Sequence, residues 1–155
     1  MLYRLYAPQD FDALYAIEEL CFQPQFRFSR KYVRQIVSHS NSVTWIAEEN
    51  EQMGAFAIAE FARGAGGTIG YIQTIEVAPH KRKQGIGREL LRRIEDSARA
   101  ASAQAMWLHV HAENAPAIHL YELNGYLREG SEEDYYAPGH AAWVYRKSLE
   151  SIPAD

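Results

Sequence analysis

Cysteine is nearly absent from the sequence, since Cys21 is the only one among 155 residues. A single thiol cannot close a disulfide within the chain or supply a cysteine-based metal cluster, and the six histidines do not form the spaced ligand set of a metal site. The sequence also lacks an apolar run near the roughly 20 residues that span a bilayer, and its N-terminus lacks the layout of a signal peptide. We therefore expect a soluble cytoplasmic protein without a bound metal.

Basic residues are in the minority, with 16 Lys and Arg against 20 Asp and Glu and a net charge of −4. This balance argues against nucleic acid as the main partner, and the lack of a long apolar stretch leads us to expect no membrane partner either. Residues 79–99 are the exception, because they carry seven basic residues against three acidic ones. We interpret this basic segment as a binding site for a small polyanion.

Hydrophobic periodicity predicts helices and strands in the order β α α β β β α β α β β. The first helix, over residues 8–21, repeats apolar residues at helical spacing: Phe11, Leu14, Ile17 and Leu20. The closing strands are predicted at residues 126–130 and 141–148, with a loop between them. Strands interspersed with helices imply an α/β fold, a mixed sheet of about seven strands covered by helices on both faces. We predict one domain over residues 1–149 and a C-terminal tail over residues 150–155.

A glycine-containing basic loop joins a predicted strand to a predicted helix. The strand ends at Val77, Pro79 follows it, and the helix begins near Gln84. Free N–H groups at a helix N-terminus bind phosphate oxygens, and glycines let the backbone approach them closely. The loop reads Arg82-Lys83-Gln84-Gly85-Ile86-Gly87, followed by Arg88. A Walker loop would need Gly-Lys-Ser/Thr and a dinucleotide loop would need a third glycine where Leu90 stands, so neither pattern fits.

The loop resembles the acyl-CoA pyrophosphate loop of the GNAT superfamily of N-acetyltransferases. The segment from Asn114 through Tyr121 to Gly125-Tyr126 resembles a second, later segment of the same superfamily. The resemblance implies a splayed pair of strands that binds acetyl-CoA as co-substrate, with Ile75 and Val77 pairing with the pantetheine amides. It further implies that residues 82–88 bind the pyrophosphate, that Asn114 contacts the acyl-CoA, and that Tyr121 protonates the departing thiolate. Without the resemblance, Asn114 is an ordinary helix cap and Tyr121 a half-buried aromatic.

Within that superfamily the sequence resembles protein N-terminal acetyltransferases, including the bacterial ribosomal-protein alanine type. The similarity lies in Leu108-His109-Val110-His111, in Tyr135-Tyr136 of the penultimate loop, and in residues 21–26 with Phe22 and Phe26. Phe22, Phe26, Tyr135 and Tyr136 are therefore candidates for binding the acceptor.

The candidate base is a pair rather than a single residue. The ribosomal-protein enzymes usually carry glutamate where His109 stands, whereas other N-terminal acetyltransferases pair a histidine there with a tyrosine, which matches Tyr71. We predict that Tyr71 and His109 take the amine proton through an ordered water, with His111 as the alternative. Strand alternation is expected to turn Glu76 away from Tyr71.

The predicted function is acetyl-CoA-dependent N-acetyl transfer, with a protein or peptide N-terminus as acceptor and the enzyme acting as a monomer or homodimer. One alternative is a GNAT enzyme for lysine side chains or a small-molecule amine. A second alternative is a non-catalytic acyl-CoA-binding regulatory module.

Overall fold

The computed structural model describes residues 1–149, and the predicted tail over residues 150–155 lies outside the described residues. The centre of the described fold is one seven-stranded sheet with the order β1-β2-β3-β4-β5-β7-β6. Neighbouring strands are antiparallel except for the central β4–β5 pair. The strands are β1 (Leu2–Leu5), β2 (Ser42–Glu49), β3 (Gln52–Gly64), β4 (Gly67–Val77), β5 (Ala103–His111), β6 (Leu127–Ala137) and β7 (His140–Ser148). The helices are α1 (Phe11–Cys21), α2 (Arg30–Ser38), α3 (Ile86–Ala100) and α4 (Ala115–Leu123). The predicted mixed sheet and the order of its elements are therefore confirmed.

Helices cover both faces of the sheet and define two apolar clusters. One cluster packs α3 and α4 against the sheet, and the other packs α1 and α2 against the opposite face of β2 and β3. The apolar stripe of α3 explains the first cluster, since Leu90, Leu91 and Ile94 are almost fully buried. No helix within residues 1–149 is both long and apolar enough to cross a membrane.

Helix α1 differs from its predicted buried stripe at one position. Phe11, Leu14 and Ile17 are buried as expected, but Leu20 is 61% exposed and Glu18 is buried in its place. The helix therefore turns a carboxylate toward the sheet. Apolar spacing alone does not reveal this, because the carboxylate is held by polar partners that lie far away in the sequence.

A β-bulge in β4 sets the geometry of the central strands. Ile58 of β3 pairs with Thr74, whereas Ala59 pairs with Ile72, so Gln73 is an extra residue in β4. The parallel pairing of β4 with β5 ends at Ile72 and Leu108. Beyond this point the described strands diverge, as expected for the splayed pair.

The bulge also reverses the expected orientation of Glu76. Tyr71 pairs with Glu60 and Glu76 pairs with Phe56, and these β3 residues lie on one face because they are an even number of positions apart. Tyr71 and Glu76 therefore share the face covered by α1 and α2. The prediction that Glu76 turns away from Tyr71 is wrong, because it assumed an unbroken alternation.

Strand β6 is longer than predicted. It runs to Ala137 rather than ending at Gly130, so Tyr135 and Tyr136 lie in a strand and not in a loop. The sequence hides this extension, since nine consecutive residues from Leu127 to Tyr135 are exposed and show no apolar alternation. An edge strand with little cover needs no such pattern.

The two leucines of α1 provide a direct test of this packing. We expect Leu14→Ala to lower the free energy of unfolding by about 2–5 kcal/mol, because Leu14 is fully buried and its truncation leaves a cavity. Leu20→Ala, a matched change in the same helix, should alter it by less than about 0.5 kcal/mol. Denaturant titrations of both variants measure the difference, and equal losses would contradict the described orientation of α1.

Candidate functional site

The basic loop before α3 presents a row of unused backbone donors. Within residues 1–149, no backbone or side-chain acceptor lies within hydrogen-bond distance of the N–H groups of residues 83–88. Lys83 and Gly85 adopt positive φ values of 65° and 80°, which turns successive N–H groups toward one side. The N-terminus of α3 adds its dipole. The loop can therefore hold the oxygens of a pyrophosphate, as the sequence predicted.

Arg82 is tied to the end of β4. Its Nε donates to the carbonyl of Val77 at 2.9 Å, and its Nη2 donates to Cys21 Sγ at 3.6 Å. The Cys21 thiol itself donates to the Val77 carbonyl at 3.5 Å. Burial raises the pKa of the Cys21 thiol to about 11, so this cysteine stays protonated near neutral pH and is a poor nucleophile.

The splayed end of β4 leaves peptide groups facing the gap. Ala78 N–H donates to Gly54 on the β3 side, and the peptide groups of successive residues point to opposite sides of a strand. The groups of Ile75 and Val77 therefore face away from β3, into the space that β5 has left. The Val77 carbonyl is already engaged by Arg82 and Cys21, a detail that the sequence did not reveal.

Helix α4 carries two of the predicted site residues, Asn114 at its N-cap and Tyr121 on its buried face. The side chain of Asn114 accepts from Ala117 N–H at 3.3 Å and caps the helix. Tyr121 is buried, yet its hydroxyl has no hydrogen-bond partner within the described residues. Burial raises the pKa of Tyr121, and the nearby groups of Tyr136 and Glu76 raise it further. The phenol is therefore a protonated donor that no other described group uses.

An aromatic cavity of about 300 Å³ opens on the α1–α2 face of the sheet. Its lining consists of Phe28, Tyr32, Tyr71, Gln73, His109, Tyr135 and Tyr136. Tyr32 donates to the Gln73 side chain at 3.1 Å, and Gln73 donates in turn to Glu60. The cavity therefore combines apolar walls with a polar floor.

Tyr71 and His109 meet in this cavity. The Tyr71 hydroxyl lies 2.6 Å from His109 Nδ1, and His109 Nε2 lies 3.0 Å from a carboxylate oxygen of Glu132. Tyr135 stacks on the imidazole at 4.4 Å between ring centroids. Burial raises the pKa of Tyr71, so the phenol keeps its proton and is able to donate a hydrogen bond to an unprotonated Nδ1. The structure thus brings together the predicted base pair.

His111, the alternative base, belongs to a neighbouring cluster. Its Nε2 lies 2.9 Å from His140 Nδ1, Phe26 packs edge-on against both rings, and Tyr136 stacks on His111. Donor atoms of His111, His140 and Glu113 lie within 4.8 Å of one another. However, Glu113 N–H donates to His111 Nδ1, so a neutral His111 carries its proton on Nε2. That proton points to His140, and the cluster fits a hydrogen-bonded pair better than a metal site.

A buried acid pair lies on the same face. Glu18 of α1 accepts Phe28 N–H at 3.0 Å, and Glu76 of β4 accepts the Thr74 hydroxyl at 2.8 Å. The remaining oxygen of each carboxyl, Oε1, has no partner in the described part of the chain. Burial and the neighbouring carboxyl of Glu18 raise the pKa of Glu76. We interpret the two groups as sharing one proton, which gives both oxygens a partner.

The predicted acceptor residues divide into two groups. Tyr135 and Tyr136 line the cavity, and Phe26 lies beside it against the histidine pair. Phe22 does not line the cavity, and its carbonyl instead accepts from Arg27 Nε at 2.8 Å.

Several residues of the site escaped sequence reasoning. Phe28 follows Phe22 and Phe26 and continues their aromatic pattern, so composition could have suggested it. No local signal marks Tyr32, Gln73 or Glu132, because the first lies on an exposed helix face, the second in a bulge and the third in an acidic run.

The acid pair predicts an unusual dependence of stability on pH. The pKa of Glu76 is higher in the folded chain than the ordinary value of about 4.3. Its contribution to stability is therefore fully present below about pH 4.3 and is lost as the pH rises through the folded pKa. Glu76→Gln removes this proton linkage, so the wild type should lose stability relative to the variant by up to about 1.4 kcal/mol per pH unit. Urea titrations from pH 5 to pH 9 measure this, with Glu129→Gln as an exposed control. Parallel curves for wild type and Glu76→Gln would rule out the shared proton.

Comparison with known proteins gives the same assignment as the motifs. A family model described as the acetyltransferase (GNAT) family matches residues 11–126. Streptothricin acetyltransferase of Streptomyces lavendulae is 46% identical over 65 residues, which are 42% of this chain and 34% of that protein. The Escherichia coli ribosomal protein bS18-alanine N-acetyltransferase is 34% identical over 88 residues, which are 57% of each chain. The matched segments thus span between a third and three fifths of these relatives.

Solved structures agree over the full fold. The crystal structure of the E. coli ribosomal-protein-S18-alanine N-acetyltransferase superposes with a TM-score of 0.86 at 25% identity, covering 99% of this chain and 97% of the other. Arabidopsis thaliana NAA60 in complex with acetyl-CoA gives a TM-score of 0.82 at 21% identity, covering 95% and 97%. Since the family model covers more than half of the sequence and the architecture agrees throughout, the chain belongs to the acetyltransferase (GNAT) family.

Proposed function

We propose that the protein transfers an acetyl group from acetyl-CoA to the N-terminal amine of a peptide or protein. The observation that carries this proposal is the aromatic cavity, whose lining includes the hydrogen-bonded Tyr71 and His109 side chains. It opens beside the gap between β4 and β5. An amine entering the cavity meets a proton acceptor at the place where the bound thioester would arrive.

The chain contains groups that fit acetyl-CoA at each part of the molecule. The free N–H groups of residues 83–88, with the exposed side chains of Arg82, Lys83 and Arg88, suit the pyrophosphate. The gap-facing peptide groups of Ile75 and Val77 suit the pantetheine amides, as an added strand would. Asn114 lies at the start of α4, and the family resemblance assigns it to contact with the acyl-CoA. Acetyl-CoA supplies an activated acyl group, and the residues named here bind and orient it.

Tyr71 and His109 suit an N-terminal amine in particular. An α-amino group has a pKa near 8, against about 10.4 for a lysine side chain, so it needs only a modest base at neutral pH. The Tyr71 oxygen faces the cavity and can accept a proton as its own passes to His109 Nδ1. Holding the amine against the thioester should supply much of the remaining rate.

Tyr121 is the group assigned to the leaving thiolate. The Tyr121 side chain is buried, its phenol keeps its proton, and its hydroxyl has no competing partner in residues 1–149. A neutral phenol at the gap can therefore donate to sulfur as the carbon–sulfur bond breaks. His111 is assigned to the wall of the site rather than to the chemistry, because its Nδ1 accepts from a backbone N–H.

A small-molecule amine is the second candidate acceptor. The similarity to streptothricin acetyltransferase favours it, and so do the carboxylates of Glu60 and Glu132 around the cavity, which would attract a cation. An aromatic cavity of this size also accepts the first side chain of a peptide. A linear polyamine has no such side chain to fill it.

Acceptor screening tests the proposal. We expect the protein to release thiol from acetyl-CoA with a peptide library, and mass spectrometry should place the acetyl group on the α-amine. Peptides with a blocked N-terminus and a free lysine serve as the matched control and should react poorly. Turnover confined to polyamines or aminoglycosides would favour the second candidate, and binding of acetyl-CoA without turnover would favour a regulatory module.

The role of Tyr121 has its own test. Tyr121→Phe should lower kcat by roughly a hundredfold, because general acid catalysis contributes about 10²–10⁴, while the Kd for acetyl-CoA changes less than about twofold. Tyr145→Phe is a suitable control, since the Tyr145 hydroxyl donates to Glu122 outside the cavity. Steady-state kinetics and calorimetric titration measure the two quantities. Unchanged kcat in Tyr121→Phe would remove this residue from the chemistry.

A further inference from the structure

We propose that Glu132 is a positioning residue that fixes the proton of His109 on Nε2 and so reserves Nδ1 for the proton of Tyr71. The inference rests on the proposed function for its catalytic consequence, but the proton arrangement itself does not depend on turnover. Nothing in the sequence pattern marks Glu132, which lies in the acidic run before Tyr135.

Glu132 reaches His109 across an intervening strand. His109 of β5 pairs with Val144 of β7, and Val144 pairs with Gly130 of β6. Gly130 has no side chain, so this position of β6, next to Val144, leaves the edge of the His109 imidazole uncovered. Glu132 lies two residues further along β6 and turns back to place a carboxylate oxygen 3.0 Å from His109 Nε2.

The end of β6 holds this geometry. The register with β7 is irregular between Glu132 and Ala137, and Asp134 adopts a positive φ of 54°. The Asp134 side chain accepts Gly139 N–H at 2.7 Å, which closes the hairpin. This kink returns Tyr135 to the cavity, where it stacks on His109. The same segment therefore supplies one contact to the ring face and one to the ring edge.

The carboxylate determines which nitrogen carries the proton. An ionised carboxylate only accepts hydrogen bonds, so Glu132 requires a proton on Nε2. In a neutral imidazole the other nitrogen is then an acceptor, and Nδ1 receives the Tyr71 hydroxyl. The inverted arrangement would set the Nε2 lone pair against the carboxylate, which is repulsive. The triad of serine proteases uses a carboxylate in the same way to hold its histidine.

This arrangement gives the proton a defined direction. An N–H bond of the attacking amine breaks and its proton passes to the Tyr71 oxygen, while the Tyr71 proton passes to His109 Nδ1. The doubly protonated ring then keeps its Nε2–H on Glu132, whose negative charge faces the new positive charge. The proton later leaves His109 for solvent. Tyr121 supplies the proton that the thiolate gains, and the resulting phenolate takes a proton back from solvent.

The test compares Glu132→Gln with Glu133→Gln. A glutamine at 132 can donate to Nε2 as well as accept from it, so it no longer enforces the tautomer. Within residues 1–149, Glu133 forms no ion pair or side-chain hydrogen bond, which makes its substitution a matched control. Nitrogen-15 spectra of the neutral histidines, with His109→Ala for assignment, report which ring nitrogen carries the proton.

We expect a protonated Nε2 in the wild type and in Glu133→Gln, and a mixed or inverted tautomer in Glu132→Gln. The kcat of Glu132→Gln should fall about tenfold to a hundredfold, part of the range for general base catalysis, with little change in KM for the acceptor. Identical spectra for the two variants would overturn the inference, whatever happens to kcat. If the wild type acetylates no amine, the proposed function fails, and the spectra still decide the role of Glu132.

Discussion

The parting of β4 from β5 is the constraint on which the site depends. One extra residue, Gln73, breaks the alternation of β4, and the parallel pairing stops at Ile72. The gap that follows exposes peptide groups that a continuous sheet would have used. It also lets Tyr121 approach from the α3–α4 side while Tyr71 approaches from the other. A regular sheet would have kept the groups on its two faces apart.

The carboxyl pair of Glu18 and Glu76 links the α1 side to this opened strand. Both groups are almost fully buried, and burying carboxyl groups is unfavourable unless a proton or partner offsets it. Glu18 also accepts Phe28 N–H, so the pair ties the cavity wall to β4. The pair interacts through directional hydrogen bonding, whereas apolar packing has no preferred direction. We therefore interpret the pair as fixing the cavity wall relative to the gap.

The sequence predicted the fold well because hydrophobic periodicity and the residues that end helices and strands indicate where each element lies. The helices and strands follow in the predicted order, and β7 (His140–Ser148) lies within one residue of the predicted bounds 141–148. The basic loop was recognised as a local motif, and the contact between Tyr71 and His109 was predicted from the family resemblance.

The errors share a physical cause, which is that tertiary contacts decided the outcome. A bulge leaves no mark in a β-branched strand, so the face of Glu76 was assigned wrongly. An edge strand exposed to solvent has no apolar alternation, so most of β6 was missed and Glu132 with it. Burial of Glu18 in place of Leu20 depends on a partner 58 positions away in the sequence, at Glu76, and local spacing cannot encode such a pair.

The acidic edge of the sheet has a consequence for how copies of the protein meet. Within residues 1–149, strand β6 has a neighbour on one side only, and an uncovered edge can pair with the edge of another molecule. Its outer residues include Glu129, Glu132, Glu133 and Asp134, all exposed. Two such edges brought together would place like charges opposite each other, which opposes strand pairing. The run of carboxylates that conceals the strand in the sequence therefore also opposes pairing between the β6 edges of two copies.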